Sequence, residues 1–141
     1  MREIKFRAWD KDNHRMREVC SMDTDNGDYD TGRKRRVQIW DHPSVRAAQI
    51  KGHVTSLFLE NVELMQYTGL KDKNGADIYE GDILRFDEKE WGNKHTFAIG
   101  WDERHGRFSG DGVPHDWSEW CEVIGNIYET PKLIQPTEKQ P

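Results

Sequence analysis

Ile4, Phe6 and Ala8 alternate with Lys5, Arg7 and Trp9, the period of two of a strand with one face buried. The residues Asp10-Lys11-Asp12-Asn13-His14 supply a turn, because Asp and Asn bond their own main chain and tolerate tight backbone angles. Met16–Met22 is then the returning strand of an N-terminal hairpin. Residues 23–36, DTDNGDYDTGRKRR, break the pattern and predict an exposed loop. Val37–Trp40 is a short strand ending at Asp41-His42-Pro43, and Ser44–Ile50 has room for about two turns of helix after that proline. Val54–Leu59 is apolar and β-branched enough for a buried strand, and Val62–Tyr67 continues toward the next turn cluster.

The second half repeats the same grammar. Gly81-Asp82 opens a strand over Ile83–Asp87, and Thr96–Trp101 puts Phe97, Ile99 and Trp101 on one face, with Trp101 expected in the core. Asp102–Gly106 turns the chain and Arg107–Ser109 answers it. A loop over Gly110–Pro114 leads to Trp117–Tyr128, a last long strand bent at Gly125. Short strands between turn clusters predict a mainly β fold (a β-rich α+β fold) with little helix. The expected organisation is an N-terminal hairpin region over 1–63, holding a variable polar loop at 22–36. It is followed by a small SH3-like barrel over 64–134 and a disordered Pro-rich tail over 135–141.

Composition sharpens this picture in three ways. Only 34% of the 141 residues are hydrophobic, but six are Trp, and each aromatic can bury roughly 150–250 Å². A small aromatic-rich core is therefore expected. The net charge of −5 argues against a dedicated nucleic-acid binder, although residues 1–36 are net basic. Cys20 and Cys121 are far apart and form no Cys-x-x-Cys pattern, so two reduced, partly buried thiols are expected and a zinc ribbon or disulfide framework is not. No apolar run reaches the roughly 20 residues of a membrane span, which predicts a soluble, cytoplasmic protein.

Three separated segments carry a resemblance. They are Met1–Lys11, MREIKFRAWDK; Leu64–Ile83, LMQYTGLKDKNGADIYEGDI; and Glu122–Ile134, EVIGNIYETPKLI. In this order they resemble the YopX family of phage and prophage proteins. The resemblance implies a phage- or prophage-encoded protein of the bacterial cytoplasm, with a compact β-rich fold that self-associates. It covers about the first twenty residues and Leu64 to Ile134, while 22–53 matches nothing in the family. The motif residues are Tyr67, Thr68, Gly69, Asp72, Asn74, Gly75, Tyr79, Gly81, Asp82, Gly125 and Asn126. Turn chemistry explains their Gly and Asn positions, Asn74-Gly75 suiting a type I′ turn. The competing reading is a binding surface lined by Tyr67, Asp72, Asp77, Glu80 and Asp82.

Candidate chemistry is sparse. Asp23-Thr24-Asp25-Asn26-Gly27-Asp28 fails as a calcium loop, because Gly27 arrives one place early and the twelfth position is Lys34. Arg33-Lys34-Arg35-Arg36, flanked by Tyr29 and Trp40, is a candidate phosphate contact, but four Asp immediately upstream compete for it. Asp87-Glu88-Lys89 with Asp77, Glu80 and Asp82 is similar to half of a metal-dependent nuclease site, a pattern that arises easily in a chain 33% charged. The six His have no ligand spacing, and no nucleophile or phosphate-loop motif is present. Neither a metal nor a cofactor is expected. Trp117 and Trp120 would face opposite ways on a strand, making Trp117, with Trp91, a candidate protein interface. The expectation is a non-enzymatic, homo-oligomeric module binding a host or phage protein through the Tyr67–Asp82 loop and exposed aromatics such as Trp91 or Trp117. The alternative is an accessory nucleic-acid binder in phage replication or expression.

Overall fold

The computed structural model describes residues 3–22, 36–40, 54–86, 96–109 and 117–134, without the side chains of Trp40 and Trp117. Several expectations lie outside the described residues: the polar loop with Arg33–Arg35, the Ser44–Ile50 helix, Asp87-Glu88-Lys89, Trp91, the Gly110–Pro114 loop and the tail. The fold is mainly β, and the described helical segments are short 3-10 turns. The chain divides into two compact units, one over Lys5–Met65 and one combining Met1–Ile4 with the chain from Gln66 onward.

In the Lys5–Met65 unit the strands are β1 (Phe6–Asp10), β2 (Arg15–Met22), β3 (Arg36–Trp40) and β4 (Val54–Phe58), with the beginning of β5 (Val62–Lys71). They lie in the order β4-β3-β2-β1-β5. The expected hairpin is present, with Arg7 opposite Glu18 and Asp10 opposite Arg15. Its turn is organised by Asp10, whose carboxylate accepts from the Asp12 and Asn13 amides at 3.1 Å and from Asn13 Nδ2 at 2.8 Å. Alternation places Ala8, Val37 and Ile39 in a core with Val62, covered by Val19, Met22, Leu57, Leu59 and Leu64. Two expectations change. Ile4, which falls in the other unit, precedes β1 and is 72% exposed. The Val54–Phe58 strand is largely exposed rather than buried, because it pairs with β3 on one side and ends the described sheet.

In the other unit, the second half of β5 pairs with β6 (Asp77–Tyr79). Here β7 (Asp82–Phe86) lies between β8 (Thr96–Ala98) and β11 (Cys121–Asn126), and β9 (Gly100–Asp102) with β10 (Arg107–Ser109) forms a two-stranded ribbon. Ile78, Leu84, Phe86, Phe97, Ile99 and Cys121 form the core, with Phe108 and Val123 packed on it. The expected Thr96–Trp101 strand breaks at Ile99, whose amide and carbonyl bond Asp82 O and Gly81 N at 2.8 and 2.7 Å. Beyond the break Trp101 points outward, 51% exposed, so it is not a core residue. The expected long strand over Trp117–Tyr128 is a 3-10 turn (Trp117–Trp120), then β11, then a turn. Trp117 and Trp120 therefore do not alternate on a strand, and Trp120 is exposed.

Candidate functional site

The motif residues form an internal frame. Between Tyr67 and Lys71 the ladder with β6 slips, and Gly69, at φ 86°, lies in the bulge. Thr68 repairs the gap, donating from Oγ1 to Ile78 O at 2.8 Å and accepting from the Leu70 amide at 3.2 Å. Tyr67 and Tyr79 stand opposite each other with ring centroids 5.5 Å apart. The next turn runs through Asp72-Lys73-Asn74-Gly75, closed by the Gly75 amide on Asp72 O at 3.0 Å. Gly75 has φ +82° whereas Asn74 does not have positive φ. The turn is thus of type I followed by a left-handed glycine, and not the expected type I′.

Asp72 is the centre of this frame. Its Oδ1 accepts from the Asn74 and Ala76 amides and its Oδ2 from the Val123 amide, each at 2.9 Å. Burial by itself would raise its carboxyl, but these amides, with the Lys73 charge, hold it below the ordinary value. Asp82 is buried and accepts the Tyr79 amide at 2.8 Å. Asn126 Oδ1 caps the Tyr128 and Glu129 amides at 3.0 and 2.8 Å. Gly125 permits this turn: a Cβ there would lie 2.0 Å from Thr130 Oγ1. The polar groups of Asp72, Asp82 and Asn126 are thus directed into the fold. Asp77 pairs with Lys71 at 2.6 Å, and Glu80, half-buried, has its carboxyl raised by desolvation. This geometry supports the scaffolding reading of the segment over the binding-surface one. The described residues hold no carboxylate, His or Cys cluster suited to a metal.

A different place has the geometry of a site. A concavity of about 780 Å³ opens over the β9–β10 ribbon and the 131–134 turn. Trp101 lies on its wall, held edge-on by Phe108 with centroids 5.0 Å apart at 72°. Ile134, 38% exposed, lines the concavity with it. The turn joining the ribbon strands adds charge. Asp102 Oδ1 accepts from the Arg104 amide at 3.0 Å, and Asp102 Oδ2 meets His105 Nδ1 at 2.7 Å. The His105 ring is the main reason the Asp102 carboxyl sits below its ordinary value. Arg104 and Ser109 also line the concavity, and neither side chain has a partner among the described residues. The His105 side chain, its Nδ1 paired with Asp102, is 62% exposed.

A family model described as YopX protein matches residues 5–135, a span that takes in the 22–53 segment the sequence resemblance left unmatched. The chain belongs to the YopX family. The solved structure of protein EF1440 from Enterococcus faecalis is similar, with 26% identity and a TM-score of 0.61 over 96% of this chain and 100% of that one. The structure of YopX from Bacillus subtilis shares the fold at 17% identity and a TM-score of 0.52, again over 96% and 100%. No curated protein matches.

In this chain the candidate contacts of the sequence fall unevenly. Arg36 is described and exposed at the start of β3, its guanidinium 4.8 Å from the Phe58 ring centroid. Arg33, Lys34, Arg35 and Trp91 lie outside the described residues, as does the Trp117 side chain. Sequence reasoning does not single out the concavity residues Trp101, Arg104, His105 and Ile134 as a site. The one signal for them is Asp102-Glu103-Arg104-His105, a charged turn directly after a Trp on a short strand.

Proposed function

We propose that this YopX-family chain is a non-enzymatic interaction module, phage- or prophage-encoded, that acts as a homo-oligomer in the bacterial cytoplasm and binds a host or phage protein. The observation that carries this reading is Trp101, half-exposed yet fixed by Phe108 on the wall of a concavity shared with Ile134. A rigid, partly solvated Trp beside an aliphatic side chain is the usual anchor of a protein contact, because covering it removes a large apolar area at little conformational cost. The internal use of Asp72, Asp82 and Asn126 moves the expected contact from the Tyr67–Asp82 loop to this concavity. The test is capture of partners from nuclease-treated host lysate by the tagged protein and its Trp101→Ala variant, with solution mass by light scattering. Loss of captured bands in the variant, with its fold retained, is the expected outcome. Identical capture by both proteins would move the binding face elsewhere.

The second reading, an accessory nucleic-acid binder in phage replication or expression, draws on Arg36, exposed at the end of the basic cluster. It calls for affinity that falls steeply with salt and collapses when Arg33–Arg36 are neutralised. Salt-insensitive or absent binding to single-stranded oligonucleotides would remove it.

A further inference from the structure

We infer that the partner segment received by the Trp101 concavity is an acidic peptide, one that carries an Asp or Glu carboxylate within a few residues of an apolar anchor. This inference rests on the interaction-module reading and names the chemistry of its ligand. The apolar half of the site is Trp101 with Ile134. The polar half is the turn that follows Trp101, where Arg104 lines the concavity without a partner among the described residues. His105 stands beside it, its Nδ1 committed to Asp102 at 2.7 Å. That pairing commits Nδ1 and leaves Nε2 free of a partner among the described residues. Asp102 is in turn occupied by His105 and by backbone amides. The Arg104 side chain thus lines the concavity with no partner among the described residues, and a guanidinium can donate two parallel hydrogen bonds to one carboxylate.

Two competing ligand classes fit less well. Small-molecule sites are enclosed and mostly apolar, whereas this concavity sets Asp102, Arg104, His105 and Ser109 beside Trp101 and Ile134, with Trp101 51% exposed. Such an open concavity suits an extended chain laid across it. A nucleic-acid strand needs a track of cations for successive phosphates. Among the described lining residues Arg104 is the one cation without a side-chain partner, enough for a single carboxylate and too few for successive phosphates.

The test is selection of a displayed random dodecapeptide library on the purified full chain, followed by affinity measurement with the synthetic peptide most enriched. Enriched sequences should combine a carboxylate with Leu, Phe or Trp. Trp101→Ala should weaken that peptide by roughly thirtyfold or more. Arg104→Gln, which keeps the backbone bond to Asp102, should weaken it by roughly tenfold. Replacing the peptide's carboxylate with its amide should have the same effect as Arg104→Gln and add little to it. Lys11→Gln, a loss of one positive charge in the other unit, should change nothing. Peptides that depend on Trp101 but lack a carboxylate and ignore Arg104→Gln would overturn the acidic class and keep the interaction module. Failure to enrich any peptide that depends on Trp101 would overturn both. Tighter binding of a single-stranded oligonucleotide than of any peptide would replace both with the nucleic-acid reading.

Discussion

Asp72 receives three main-chain amides, two from its own turn and one from Val123, 51 residues away. Replacing it with Asn would set an NH₂ donor against one of those amides. Asp72→Asn should therefore lower unfolding free energy by about 1–3 kcal/mol, read as an earlier urea midpoint. The sign of the pH effect follows from the lowered carboxyls of Asp72 and Asp10. A carboxylate more acidic in the folded than in the unfolded state contributes stability above its unfolded value of about 3.9. That contribution is lost as pH falls through the folded value. Urea midpoints should accordingly fall below about pH 4, and the fall should be shallower in Asp72→Asn. An equally steep fall would show that Asp72 is not the group responsible. The two cysteines also separate cleanly at this scale: Cys20 is exposed, whereas burial pushes the Cys121 thiol up to about 12. One thiol should react with an aromatic disulfide reagent in the native protein and two in denaturant. Rapid reaction of both natively would mean that β11 opens.

Among the elements, β11 and the turn after it depend on close approach. A methyl group at Gly125 would meet Thr130 Oγ1 at 2.0 Å and Leu133 Cδ1 at 3.0 Å. Gly125→Ala should cost about 1–3 kcal/mol through forced displacement of the 131–134 turn, and Thr130→Ser in the same chain should not restore it, because the Oγ remains. A melting temperature unchanged by Gly125→Ala would show that the turn repacks freely. The N-terminal hairpin and the β9–β10 ribbon are legible in the sequence because alternation and Asp/Asn turns are local signals. The exposure of Val54–Phe58 is not, since it depends on that strand having a described neighbour only in β3. Nor is the break at Ile99, where main-chain bonds to Gly81 and Asp82 interrupt an otherwise strand-like alternation. The Asn74-Gly75 turn is visible but its type is not, because Asp72 at the first position selects type I by binding the following amides.

For the molecule as a whole, the family motif and the candidate binding face are different sets of residues. The motif builds the frame of the unit that holds the chain from Gln66 onward, and the concavity sits on the ribbon that this frame supports. The motif's scaffolding role is legible from its turn residues. The site is not, because it joins Trp101, Arg104 and Ile134 from two parts of the chain. Neutral changes in the frame should thus alter stability and leave partner selectivity alone, whereas changes at Trp101 or Arg104 should do the reverse. The decisive measurement is site-specific photo-crosslinking in living cells, with a benzophenone side chain placed beside the anchors at position 103 or 109 or, as a control in the other unit, 11. If the concavity is the binding face, positions 103 and 109 yield a discrete partner adduct and position 11 does not. An adduct from position 11 alone, or equal adducts from all three, would place binding elsewhere and end the assignment.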